Sequence, residues 1–172
     1  KIYEEPKKLV AHGLATASAG TVGRRPRTTY AITPQGRQAL TAWMAGEPGD
    51  GPVLVFEDLI RVFFAEHGSK AGLLATLERV RAWSDDQTVA TGHIAREYLD
   101  GRGPFPERLP WIILVGEFLD ELVAMVGDWA TRAAAEVGGW PEDLPSARPD
   151  LERLERQARR AEAVGGRPRI GA

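Results

Sequence analysis

The stretch from Trp111 to Val137 restricts the fold of this chain more than any other part of it. Trp111, Val115, Phe118, Leu122, Val126 and Trp129 recur at three- and four-residue intervals, and Ile112, Leu119, Val123 and Ala130 form a second apolar row beside them. This spacing is helical, because a turn of 3.6 residues brings positions three and four apart onto one face. Two adjacent rows give a wider apolar surface than one neighbouring helix covers. The expectation is a helical bundle in which one row packs within the subunit and the other against a second copy.

The flanking segments fit such a bundle. "GEPGDGP" at 46–52 is the clearest linker, and everything after it reads as helical. One helix is expected over about 55–66, with Leu59, Ile60, Val62, Phe63 and Phe64 on a wide apolar face. Gly68 stops it and Ser69 can cap the next helix, over about 70–99, which carries Leu73, Leu77, Val80, Ile94 and Tyr98. Its polar centre, Ser84-Asp85-Asp86-Gln87, resembles a capping box and predicts a break there. Loops at 100–110 and after 137 bracket the two-row helix, and a highly charged helix over 150–164 follows. Before the linker the pattern changes. A short helix over 2–12 carries Ile2, Leu9 and Val10, with Gly13 at the position of a C-terminal cap. A brief strand over 14–18, a turn marked by Gly20 and Gly23, and a β-branched strand over 28–32 read as a hairpin. Thr33-Pro34 then opens a helix expected to turn Ala39, Leu40 and Trp43 inward and to end near Gly46. The fold class is thus mainly α with one small β-hairpin. Its parts are a partial winged-helix unit over 1–46, a linker over 47–54, a helical region over 55–164 and a loose tail over 165–172.

Charge divides the chain at the same place. The net charge is −2, yet residues 1–43 hold seven Lys or Arg against two acids, while the rest holds fifteen against twenty-two. The N-terminal part is therefore the one expected to meet a polyanion. Arg24, Arg25 and Arg27 crowd the hairpin tip around Pro26, where a planar guanidinium can grip phosphate with two bonds. Lys1, Lys7 and Lys8 add positive charge from the preceding helix. A helix followed by a basic-tipped hairpin is the layout of a winged helix-turn-helix, in which the helix enters the major groove and the wing reaches the backbone. Double-stranded DNA is the partner this layout predicts.

Other chemistries find no support. The chain has no cysteine, which excludes disulfides and thiolate catalysis. The apolar run Trp111–Val115 is broken by Glu117, Asp120 and Glu121, so no membrane span is expected. His12, His67 and His93 are far apart, and His93 with Glu97 supplies only two of the ligands a metal site needs. No phosphate-binding loop, nucleophile elbow or HExxH occurs, so neither enzyme activity nor a cofactor or metal is expected. A cytoplasmic, nucleoid-associated location goes with the DNA partner.

"IYEEPKKLVAHGLA" followed by "VGRRPRTTYAITPQGRQAL" resembles the PadR family of transcriptional regulators. Ile2, Tyr3, Leu9, Gly13, Leu14, Gly23 to Arg27, Tyr30, Thr33, Pro34, Gly36 and Leu40 carry the resemblance, which covers residues 1 to about 45. It implies that Lys1, Tyr3, Lys7, Lys8, Arg24, Arg25, Arg27 and Thr28 face DNA. It also implies that the C-terminal helices form a homodimer and that the protein is a repressor. Trp83, Trp111, Phe118 and Trp129 are core or dimer aromatics, or else the walls of a pocket for a flat, apolar effector of the kind some relatives use. Two departures stand out. The chain begins at what the family uses as its recognition helix, so part of the core around Ile2, Leu9 and Leu40 is expected to lie upstream. Pro6 replaces a usual leucine and is tolerable only if the helix restarts near Glu5. These departures favour the rival reading, a helical dimeric interaction protein whose winged-helix remnant does not bind DNA, and the intact "GRRPR" tip disfavours it.

Overall fold

The threonine that opens the helix after the hairpin ties the N-terminal part together. The computed structural model describes residues 5–47, 49 and 51–165. It forms two units, Lys1–Leu54 and Val55–Ala172. In the first, α1 (Glu5–Ala11) leads to an antiparallel hairpin of β1 (Ala15–Val22) and β2 (Arg25–Ile32), and then to α2 (Pro34–Ala45). Residues 2–4 of the expected first helix lie outside the described residues; from Glu5 the backbone is helical through Pro6. Gly13 ends α1 with φ +70°. Its N–H donates to Val10 O at 2.9 Å while the Leu14 N–H donates to Leu9 O at 2.9 Å, the paired bonds of a glycine-terminated helix. Thr33 Oγ1 then donates to Gly13 O at 2.7 Å and accepts from the Gly36 N–H at 2.9 Å. The Thr33 N–H donates to Leu14 O at 3.1 Å. One residue thus caps α2 and fastens it to the end of α1. Gly36 is buried, and a Cβ there would lie 2.1 Å from Leu14 O, so only glycine lets α2 approach this closely.

Two expectations are corrected in this unit. The hairpin is longer than the alternating pattern predicts: Gly20 pairs with Arg27 inside the ladder, and the turn is the two residues Gly23 and Arg24 alone. Gly23 has φ +61°, and a glycine first in a two-residue loop suits the twist of the strands and keeps the ladder in register from Val22–Arg25 to Ala15–Ile32. The face of α2 is the second. Leu40 and Trp43, expected inward, are exposed, Trp43 at 74%, because among the described residues of this unit no element covers them.

The second unit contains α3 (Glu57–Phe63), α4 (Lys70–Leu99), α5 (Leu109–Gly138) and α6 (Leu151–Gly165), with 3₁₀ turns at Ala65–His67, Pro106–Arg108 and Leu144–Ser146. Ser69 caps α4 by accepting from the Gly72 N–H at 3.1 Å. The expected break at Ser84 does not occur, and α4 runs unbroken for 30 residues. Ser84 is buried, and its hydroxyl donates to Val123 O on α5 at 2.8 Å, satisfying the hydroxyl across the helix pair rather than on its own turn. Gly127 makes the approach possible, since a Cβ there would sit 2.4 Å from Ser84 Oγ. Around this contact the helices pack antiparallel, with Val80, Val126 and Ala130 in one cluster and Leu73, Leu77, Val137 and Leu144 in the next. Lys70 closes the near end by donating from Nζ to Gly138 O at 3.0 Å and Trp140 O at 2.7 Å. Of the two apolar rows of α5, Val123 and Ala130 of the inner row are buried, joined by Val126 from the other. Trp111, Val115 and Phe118 are exposed. Every buried residue of α4 lies at or before Ser84 and every one of α5 at or after Val123, so the far half of the pair has no core of its own. Asp150 caps α6, its Oδ1 accepting from the Arg153 N–H at 2.9 Å.

Gly36→Ala forces Cβ into the Leu14 carbonyl and should destabilise the N-terminal unit by at least about 2 kcal/mol, read as faster hydrogen exchange across β1–β2. Gly127→Leu should separate α4 from α5 at Ser84, break the Ser84–Val123 hydrogen bond and lower stability by about 1–3 kcal/mol in chemical denaturation.

Candidate nucleic-acid interface

The hairpin ladder decides which of the candidate residues act together. Opposed residues in an antiparallel pair share a face, and neighbours along a strand alternate. Arg25 opposite Val22 and Arg27 opposite Gly20 therefore lie on one face, followed by Thr29 opposite Ser18. Arg25 and Arg27 are about 7 Å apart along the strand. Arg24 stands in the turn beyond them. Thr28, opposite Ala19, lies on the other face with Tyr30, so the ladder separates it from the two strand arginines. Every residue of β2 is exposed, and so is all of β1 after Ala15. The small residues across the ladder, Gly20 and Ser18, leave the Arg27 side chain room to move.

On α1, Lys7 and Lys8 are both solvent-facing at the helix surface, and Lys8 Nζ pairs with Glu5 Oε1 at 2.7 Å. Lys1 and Tyr3 lie outside the described residues. Among the described residues Arg24, Arg25 and Arg27 have no acidic partner. The arginines of the second unit contrast with them. Arg61 pairs with Glu57 at 2.6 Å, Arg79 with Asp58 at 2.6 Å, Arg81 with both Glu78 and Asp85 at 2.6 Å, and Arg159 with Glu155 at 2.5 Å. Hydrogen bonding to Arg81 holds the Glu78 carboxyl below the usual carboxylate range, and the bond that the Arg61 guanidinium donates to Glu57 raises the arginine's own value. Several cations of the second unit are thus neutralised by neighbours, whereas none of the three hairpin arginines is, among the described residues. Sequence reading missed Thr29 and Ser18 on the arginine face; strict alternation back from the Gly23 turn is the signal that finds them.

The four aromatic residues do not gather in one place. Trp129 is half-buried, edge-on to Phe56 at 6.3 Å and packed against the Val80 cluster. Trp83 is exposed, as are Trp111 at 62% and Phe118 at 60%. A cavity of about 270 Å³ lies between the end of α3 and the start of α4, lined by Arg61, Phe64, His67, Leu73 and Thr76 among others, and none of the four aromatics borders it. Among the described residues no cluster of three metal-ligating side chains forms, and no helix is long and apolar enough to cross a membrane.

No protein-family model and no curated protein matches the chain. Solved structures do. The chain is similar to smu.1604c from Streptococcus mutans UA159, at 18% identity and a TM-score of 0.62, over 78% of this chain and 76% of that one. It is also similar to the PadR-like transcriptional regulator BC1756 from Bacillus cereus, at 17% identity and a TM-score of 0.58, over 79% and 74%. A third similar structure is Bacillus subtilis PadR in complex with operator DNA, at 17% identity and a TM-score of 0.56, over 80% and 78%. The fold is PadR-like. That agrees with the resemblance carried by residues 1 to about 45, and it extends the likeness into the helical region, where the sequence offered only length and helical character. In the PadR-like frame the hairpin is the wing, and "TPQG" at 33–36 is the fastening that sets it against α1 and α2.

The two hairpin glycines should respond differently to substitution. Gly23→Val places a β-branched residue at φ +61° and should cost about 1–2 kcal/mol, loosening the wing tip in amide exchange. Gly20→Ala, whose Cβ meets only Arg27 O at 3.9 Å, should leave it intact.

Proposed function

We propose that the protein is a DNA-binding transcriptional regulator that acts as a homodimeric repressor, holding the DNA backbone with its wing. The observation that carries this reading is the pair Arg25 and Arg27, without an acidic partner among the described residues, on one face of an exposed hairpin with Arg24 at its turn, in the positively charged part of a PadR-like fold. Phosphate neutralisation needs accessible cations that are not already satisfied within the protein, and the hairpin supplies them. Lys7 and Lys8 contribute from α1, and sequence is read by that helix rather than by the wing. A dimer gives this arrangement its symmetry, because two such units meet half-sites about one helical turn apart. The exposed α5 row of Trp111, Val115 and Phe118 supports pairing through the C-terminal helices. Trp111 and Phe118 belong to the exposed far half of the α4–α5 pair, and Trp83 is exposed beside the Ser84 crossing. A pocket walled by them for a small apolar effector is therefore completed by a second copy, and Trp129 serves the core instead. The protein works in the cytoplasm, on the nucleoid.

The test is fluorescence anisotropy with a mixed-sequence duplex over a series of salt concentrations. Replacing Arg24, Arg25 and Arg27 together with alanine should weaken binding and lower the slope of log affinity against log salt by about 0.9 for each phosphate that is no longer neutralised. An unchanged affinity and slope would remove the wing from the interface.

A further inference from the structure

Gly20 is a glycine that the hairpin itself does not need. A glycine inside a strand gives up a side chain and weakens the pairing, and it marks a bulge, a tight corner or a place where something approaches the backbone closely. The ladder steps without interruption from Val22–Arg25 through Gly20–Arg27 to Ala15–Ile32, so no bulge lies here. A two-stranded sheet has no corner to turn. Positive φ occurs at Gly13, Gly23 and Gly101 and not at Gly20. Packing does not require the glycine either, since a Cβ would meet only Arg27 O at 3.9 Å, an ordinary contact. Close approach of a ligand is what remains.

The neighbours of Gly20 define the kind of ligand. The Thr33 N–H donates to Leu14 O, and alternation from that bond makes Ser18–Thr29 and Gly20–Arg27 hydrogen-bonded pairs, with Cα atoms about 5.5 Å apart. On the face these pairs share, the Ser18 and Thr29 hydroxyls stand one rung to one side of Gly20, Arg25 stands one rung to the other, and Arg27 is directly opposite. Neither strand carries a carboxylate. The Ser18 hydroxyl reaches only Thr29 O, at 3.5 Å, the outer limit of a hydrogen bond, so its proton is open to a stronger acceptor. The other face is mostly apolar: Ala15, Ala17 and Ala19 stand across from Ile32, Tyr30 and Thr28. At its base Ile32 Cγ1 lies against α2, 2.8 Å from where a Gly36 Cβ would be. The apolar face thus meets the protein's own unit, and the hydroxyl and arginine face is turned away from it. Two hydroxyl donors, a guanidinium and a bare backbone suit an anion with several oxygens.

We infer that Ser18, Gly20, Arg27 and Thr29 form a seat for one phosphate of a DNA strand, which makes β1 part of the interface along with β2. The inference rests on the DNA-binding reading above and adds a neutral, hydrogen-bonding part to the wing arginines. Gly20 lets the phosphate settle onto the sheet between Arg27 and the two hydroxyls. The arginine supplies charge, and the hydroxyls fix where the strand lies without reading its bases.

Anisotropy with the same mixed-sequence duplex tests the seat. Gly20→Val suits a strand and has free space, so amide exchange across the hairpin should stay as slow as in the native protein while DNA binding weakens at least about threefold. Ser18→Ala combined with Thr29→Val should weaken binding about three- to tenfold with the salt slope unchanged, because neutral donors release no counterion. Thr21→Ala removes a hydroxyl from the other face, opposite Pro26, and should have no effect. Native affinity in Gly20→Val or in the Ser18→Ala/Thr29→Val protein, with binding still weakened by replacing the three arginines, would reject the seat and leave the wing reading standing. No response to any of these changes, the three arginines included, would reject both. A loss at Thr21→Ala equal to that at Ser18 and Thr29 would also overturn the seat. Inorganic phosphate replacing chloride at constant ionic strength should not displace the duplex. Its release from the native protein but not from Gly20→Val would assign the seat to free phosphate and overturn the DNA assignment.

Discussion

Ser84 and Gly127 let two 30-residue helices lie close enough to share a core, and the second unit is organised around that contact. The glycine removes the side chain that would hold the backbones apart, and the serine hydroxyl donates to Val123 O on the facing helix rather than back into its own preceding turn. Val80, Val126 and Ala130 fill the space beside it, and Leu73, Leu77, Val137 and Leu144 extend the core toward the end fastened by Lys70. In the other direction the packing stops. Beyond Ser84 and Val123 the same two helices continue with apolar side chains that meet no cover, so the contact that builds the subunit also marks where its own material ends.

The electrostatics divide along the same logic of satisfied and unsatisfied groups. Several acids and arginines of the second unit lie three or four residues apart on helices and neutralise one another, as Arg81 does with Glu78 and Asp85. On the hairpin that arrangement does not arise, because Val22 and Gly20 stand opposite Arg25 and Arg27 and β1 carries no carboxylate. Exposed ion pairs add little stability, so the pairing matters less for the fold than for what remains available to a partner.

Much of the architecture was legible because its signals are local. Thr33, Ser69 and Asp150 each accept a backbone N–H three residues ahead, and Gly13 closes a helix through bonds within its own last turn. Contacts of that range are written in consecutive residues. The polar run at Ser84–Gln87 misled for the complementary reason: read locally it is a cap, while its partner is Val123, 39 residues away. The inward face assigned to Leu40 and Trp43 failed similarly, since periodicity marks a face as apolar and cannot say whether a neighbour covers it. The hairpin fell between these cases. Its existence was plain from alternation, but Gly20 and Gly23 looked equivalent until the pairing register assigned the turn to one of them.

By itself, then, the sequence determined the order of helices and strands, their caps, the PadR-like pattern of residues 1 to about 45 and the concentration of positive charge there, because each depends on neighbours a few residues apart. The tertiary structure alone decided that Ser84 is a crossing point, that Trp129 is core while Trp83, Trp111 and Phe118 are surface, and that half of a long helix pair is left uncovered. Those are facts about which distant segments touch, and an apolar or charged residue has the same local signature whether its partner lies inside the subunit or outside it.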